Sequence, residues 1–335
     1  MRLCIALTVS VMMVPAWSQD HFRVPLQPLD FQKQEAYLSS INQLETDGKR
    51  IVVRSLRETE VVVIDRQGKI LDKLGGKGGG PAEFGEYGVL AVAASNGLMF
   101  GIDAERKNVR LFEGSQFIDS FHLNSYNLGS GAMTSNAFAF SESEVVIPSH
   151  PGTGSLAAVY DFNGRLLRHF GDFPQQTLDL GLRLNAVNDT FWLFGGDRWY
   201  SVHKYLPLVT IYDRDFKIIK QFPVHSGVLD ALAQEVEEFE PNPQHATSPP
   251  IISDVKLHNG KLYLMARGCL HRVEPKSGKV EGMAWFYGEG ADFAGVTTPN
   301  VALFFFTILD DGEFVLGHPG MMWNHDLWKA RVPWS

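Results

Sequence analysis

The chain has 335 residues, 44% of them hydrophobic and 12% aromatic, with a formal charge of −8 at pH 7. That supplies apolar material for a large packed core, and length for two domains or one large all-β domain. The acidic balance, with no basic run anywhere, excludes a nucleic-acid surface and an anionic-lipid surface as partners.

Residues 1–18 have the pattern of a secretory signal peptide. Arg2 is the charged start, "LCIALTVSVMMVPA" the apolar run, and Ala16-Trp17-Ser18 the small-x-small cleavage signal before Gln19. The run is too short and wrongly flanked for a membrane span. Cys4 lies inside it rather than after it, which argues against a lipid anchor. The expected location is secreted or periplasmic, without membrane insertion. Residues 19–335 keep a single cysteine, Cys269, so no internal disulfide braces the fold.

A pattern then recurs along the chain: two apolar residues, an acid, a short turn, and another β-rich run. It appears at Asp65, Glu113, Asp161, Asp213 and Glu274, with a degenerate copy at Lys329, at spacings of 48, 48, 52, 61 and 55 residues. Each copy is preceded by a turn signal and a β-rich run, among them "DGKRIVV", "SNGLMFG", "VNDTFWLF" and "HNGKLYL". Four short strands in about 50 residues, six times over, predict an all-β fold. The expected architecture is a six-bladed β-propeller of four-stranded antiparallel blades, one domain over 19–335. The last unit stops after its third strand, while "HFRVPLQPLDFQ" has no blade of its own. Residues near 21–32 are therefore expected to complete blade six and close the ring.

Between blades one and two lies "KLGGKGGGPAEFGEYG", residues 73–88. A P-loop would need Ser or Thr after Lys77, and Gly78 stands there. Glycines permit the φ > 0 turns of a chain crossing from rim to axis, and Phe84 is placed to plug the gap between blades. "GGKGGGPAEF" followed by "FGIDAERKNVRLFEGSQF" resembles an NHL repeat, with Gly80, Pro81, Glu83, Phe84, Asp103, Asn108, Arg110 and Phe112 at the matching positions. The specific match covers residues 74–117. The resemblance implies a six-bladed propeller and includes ligand-binding modules, protein-binding modules and a few enzymes, so it does not choose among them.

After blade four, "GVLDALAQEVEEFEPNPQHATSPP" is an insertion, with a helix expected near 227–241. Leu229, Leu232, Val236 and Phe239 recur at helical spacing, as a gap-filling element or a lid.

The strand 2–3 loops and the blade-to-blade connections share one end of a propeller. Assigned to it are Arg54 and Arg57, Asp103 and Arg106, His150, Asp197, Arg198 and Trp199, Arg267 and Cys269, and His318, Trp323 and His325. Such a set reads as a rim of blade-to-blade hydrogen bonds, or as a cationic, aromatic-edged pocket for an anionic or sugar-like ligand. Of these, Arg54, Asp103, Arg106, His150, Asp197, Arg198, Trp199, Arg267 and His318 are the candidate ligand-binding residues. The inner strands are expected near "VLAVAA", "AFAF", "RLNAV", "IISDVKL" and "LFFFTIL". They offer Asn185 and Asp254, too few for a ring of oxygen ligands. His122, His169, His203, His225, His258 and His271 are expected at the surface. The expected function is an exported module that binds a small molecule, a sugar or a protein through these funnel-face loops, acting as a monomer without a cofactor or evident catalysis. The alternative is a calcium- or zinc-dependent hydrolase, lactonase or lyase at the central channel.

Overall fold

The computed structural model describes residues 20–29, 41–55, 59–86, 88–95, 97–103, 105–123, 138–149, 151–176, 189–239, 250–288, 291–292, 305–317 and 327–334. The expected leader and Arg57, His150, Asn185, His318, Trp323 and His325 lie outside them.

The inner strands of the six blades are Ile41–Thr46, Val89–Ser95, Ala139–Phe140, Thr190–Gly195, Asp254–His258 and Phe305–Ile308. Each begins a four-stranded antiparallel array, and the inner strand of blade six packs on that of blade one. The fold is the predicted six-bladed β-propeller.

Strands two and three of a blade are covered on both faces, so they carry apolar runs without alternation, as in "EVVVI" of Glu60–Ile64. Outer strands such as Leu166–Phe170 are half-wet and polar. The core divides into six apolar slabs, one per blade junction. Each side chain buried in them contributes roughly 1.5–3 kcal/mol.

The recurring acid has a local cause. Asp65 Oδ1 accepts from the backbone N–H of Gln67 and Lys69, both at 2.9 Å. Asp161 Oδ1 does the same for Asn163 and Arg165, and Asp213 Oδ1 for Lys217. The carboxylate thus builds the turn between strands three and four, satisfying donors the tight turn leaves open.

Ring closure uses the N-terminal arm twice. Gln27–Pro28 pairs antiparallel with Lys329 and Trp328 as the outer strand of blade six. Asp20–Pro25, which the sequence pattern did not separate from it, instead runs parallel to Gly282–Tyr287 of blade five's outer strand. Val24, Leu26 and Leu29 of the arm are buried against blades five, six and one. The arm therefore covers two sheet edges that would otherwise be open.

Blade four departs from the expected phasing. Its inner strand is Thr190–Gly195, not the region of "RLNAV", and residues 183–187 lie outside the described set. Gly196 and Asp197, at φ +58° and +62°, form a two-residue hairpin between strands one and two. The "GD" pair signals a tight turn but not which strands it joins.

The predicted helix is Gly227–Glu237, N-capped by Ser226, whose Oγ accepts from Leu229 N at 3.1 Å. Leu229, Leu232 and Val236 are buried in the slab between blades four and five, while Phe239, just past its end, is half-buried. Among the described residues no helix is long and apolar enough to cross a membrane.

Candidate functional site

Two inner strands carry polar residues at alternate positions: Gln43, Glu45 and Asp47 at and just past blade one's inner strand, and Asp254, Lys256 and His258 on blade five. Period two sends each set to one side of its strand. Gln43 answers the exposed backbone edge of the next blade, its Oε1 accepting from Val92 N at 2.9 Å and its Nε2 donating to Val92 O at 2.5 Å. Asp254 does the same for blade six, accepting from Phe306 N at 2.8 Å. Lys256 then reaches past blade six, its Nζ 2.8 Å from Glu45 Oε1 and 3.2 Å from Asp254 Oδ1. Gln43 Nε2 also donates to Glu45 Oε1 at 3.1 Å.

Burial dominates the ionisation of this group. Desolvation pushes the Asp254 carboxyl up to about 6, against the pull of Lys256. Burial alone would depress Lys256, but Asp254 and Glu45 outweigh it and hold the ammonium above its ordinary range. His258 is lowered by burial, partly opposed by Asp310 and Asp311. Asp47 is raised by burial, yet hydrogen bonds from Arg50 and Lys49 leave it below the usual carboxylate range.

Beyond this group the channel widens, at the end where strands one and two are joined, into a cavity of about 290 Å³. One wall is charged, with Glu45, Asp47, Lys256, His258 and Asp310 from blades one, five and six. The facing side is lined by Phe140 and Phe194, together with Phe138 and Trp192, whose rings are largely buried in the adjoining slabs. The cavity lies at the opposite end from the strand 2–3 loops.

The residues expected at the loop end have separate fates. Asp103 is fully buried and accepts from Gly85 N, Arg106 N and Arg110 Nη1 at 2.8, 3.0 and 3.1 Å. Arg106 donates to the carbonyls of Gly78 and Glu83, and Arg110 to Pro81 O at 3.0 Å while lying over the Phe84 ring. These side chains tie down the glycine-rich crossing. Phe84 is fully buried between blades one and two, and a Cβ on Gly75 would sit 2.2 Å from its ring.

Asp197 and Arg198 lie at the other end of the ring, where Asp197 pairs with Arg214. Trp199 is buried in the slab between blades three and four. Their assignment to a strand 2–3 loop is corrected by the Gly196–Asp197 hairpin. Arg267 is in a strand 2–3 turn and pairs with Glu235 of the helix at 2.6 Å. Cys269 is fully buried, with its thiol raised by desolvation. Arg54 is 5% exposed; its Nε donates to Val89 O at 2.5 Å, and burial lowers it to about 10. Its Nη1 is buried without a hydrogen-bond partner among the described residues. His203 and His271, expected at the surface, are buried on strands of blades four and five.

Among the described residues no three His, Cys, Asp or Glu side chains converge closely enough to hold a metal ion.

No protein-family model matches the chain, and neither does any curated protein sequence. Solved structures do share its fold. An exported-protein candidate (BF0058) from Bacteroides fragilis is 12% identical, with a TM-score of 0.57 over 93% of this chain and 98% of that one. Virginiamycin B lyase from Staphylococcus aureus is 12% identical, with a TM-score of 0.48 over 93% and 89%. Glutaminyl cyclase from Myxococcus xanthus is 13% identical, with a TM-score of 0.40 over 72% and 89%. At these identities the likeness concerns the fold alone, and the two enzymes bear on neither site nor chemistry. The chain folds as a six-bladed β-propeller.

Proposed function

We propose that the protein is an exported ligand-binding propeller without chemistry of its own, and that its main site is the axial cavity. One observation carries this reading: the cavity sets a charged wall against an aromatic wall around one axis. Lys256 is shared by two carboxylates, Glu45 and Asp254, and Asp47 is answered by Arg50. Asp310 adds a further carboxylate at the mouth. The excess of negative charge beside aromatic rings suits a small organic cation with an apolar body. The NHL-like stretch at 74–117 belongs to this reading as the framework of a binding propeller. Thermal shift with primary and quaternary amines, against carboxylates of the same size, tests it. Stabilisation by amines that is lost in Asp310→Asn and Glu45→Gln is expected. A preference for carboxylates would overturn it.

Binding at the loop end is proposed for Arg54, whose buried Nη1 suits an anionic group. Arg54→Met should abolish any stabilisation by small carboxylates or phosphate, and an unchanged response would rule this second site out. Export is proposed on the leader-like pattern of residues 1–18. The intact mass of secreted material should begin at Gln19, and a mass retaining Met1 or a lipid would reject it.

A further inference from the structure

The face of blade four that meets blade three is divided in two. Towards one end Trp192, Trp199 and Tyr212 pack against Phe170 and Phe216. Towards the other end the same face turns polar. Ser201 stands opposite Thr210, and Thr210 opposite Gln221, one residue from each of three neighbouring strands. Thr190 and His203 follow in the next row. Between blades one and two the corresponding slab is apolar, with Val92, Met99 and Phe112.

The Tyr212 hydroxyl hydrogen-bonds to Ser201 and Thr210, and the row is left open at Thr190. A cavity of about 290 Å³ separates it from the segment that leaves blade three, Asp172 to Gln176. Thr190 is 1% exposed, and its Oγ1 has no hydrogen-bond partner among the described residues. Leaving such a hydroxyl dry costs about 1–3 kcal/mol, so a persistent orphan there points to a missing partner. Gln221 Nε2 donates to Thr210 Oγ1 at 2.9 Å, and Gln221 is itself exposed, which marks the open edge of the cleft. His203 Nδ1 accepts from Tyr205 N at 3.1 Å, so the neutral ring carries its hydrogen on Nε2. Phe173, half-buried, supplies an apolar wall.

We propose that this inter-blade cleft is a second binding site, for a neutral monosaccharide. Serine, threonine, glutamine and neutral histidine offer mixed donors and acceptors, which match hydroxyls that both donate and accept. The aromatic wall fits the C–H face of a sugar ring. The volume lies at the small end of ligand sites, which span about 300–1,000 Å³, and so favours one ring over a chain.

The test is calorimetric titration of the full chain with D-glucose, D-galactose, D-xylose and N-acetyl-D-glucosamine. At least one should bind with a Kd of about 1 mM or tighter. Thr190→Val and Ser201→Ala should each weaken it about tenfold, one hydrogen bond's worth. Thr190→Ser should retain it, as should Ile118→Gln on the outer strand of blade two. The proposal is overturned if none of the four sugars binds wild type at about 10 mM. It is equally overturned if the bound sugar ignores both cleft variants, or is lost on Glu45→Gln, which would move it to the axis.

Discussion

The junction between blades one and two and the junction between blades three and four solve one packing problem with different chemistry. At the first, the chain crosses on glycines, and Asp103 and Arg110 clamp the crossing from inside while Phe84 fills the gap. At the second there is no buried ion pair among the described residues, and seven aromatic rings make up most of the apolar part of the slab. Phe216 makes the contrast sharp. It sits at φ +63° in the strand 3–4 turn, where blades one and three have Gly68 and Gly164. A bulky residue there costs about 1–2 kcal/mol of backbone strain. Its ring stacks on Trp199 at 5.4 Å and lies beneath Arg168. A polar clamp depends on every partner being present, whereas an aromatic slab tolerates local strain because many contacts share the load.

Asp103→Ala should produce the largest effect, about 3–5 kcal/mol, because it leaves Arg110 buried without its carboxylate. Urea denaturation measures it, and a loss below about 1 kcal/mol would mean that the clamp is incidental to the first junction. Phe216→Gly opposes two terms: about 3–5 kcal/mol of lost packing against the 1–2 kcal/mol of strain relieved. A net loss of about 2 kcal/mol is expected. A stabilised variant would show that strain, not stacking, governs the second junction.

Arg106→Ala should cost about 1 kcal/mol, since its bonds go to carbonyls that water can also reach. A cost equal to that of Asp103→Ala would place Arg106 inside the clamp rather than at its rim.

The slabs on either side of blade five provide the smallest effect, visible as a pH profile. Asp254, raised from 3.8 to about 6, makes the folded state bind more protons than the unfolded chain in that window, so stability falls as pH rises. His271, lowered from 6.5 to about 4 by burial, does the reverse over nearly the same window. Wild type should therefore be nearly flat from about pH 4 to 6. Asp254→Asn should leave stability rising with pH, and His271→Gln should leave it falling. Parallel profiles for the two variants would break the assignment.

How much of this was legible follows from how local each signal is. The acid anchors reveal the blades because one carboxylate builds one turn within five residues. The glycine-rich crossing is legible because close approach to Phe84 forbids a Cβ at Gly75. Blade four's phase was not, because a Gly-Asp hairpin looks the same whichever strands it joins. The axial group is partly written as the alternation of Gln43, Glu45 and Asp47 and of Asp254, Lys256 and His258. That Lys256 meets Glu45, 211 positions away, depends on which blades face each other across a closed ring. The burial of His203 and His271 depends likewise on which side of a strand meets a neighbouring blade.

The arm that covers blades five and six also sets the order of events in folding. Asp20 to Pro28 can pair only with residues 282–287 and 328–329, which are synthesised some 260 to 300 positions later. Blades one to four can form from contacts within about 50 residues, but the ring stays open until nearly the whole chain is available. Closing so distant a contact is entropically slow, and until then two sheet edges stay exposed to other chains. The clasp therefore acts as a checkpoint on completeness: a chain truncated in blade six keeps most of its blades and cannot seal them. Its exposed edges would mark it for aggregation or proteolysis, while the finished protein hides them.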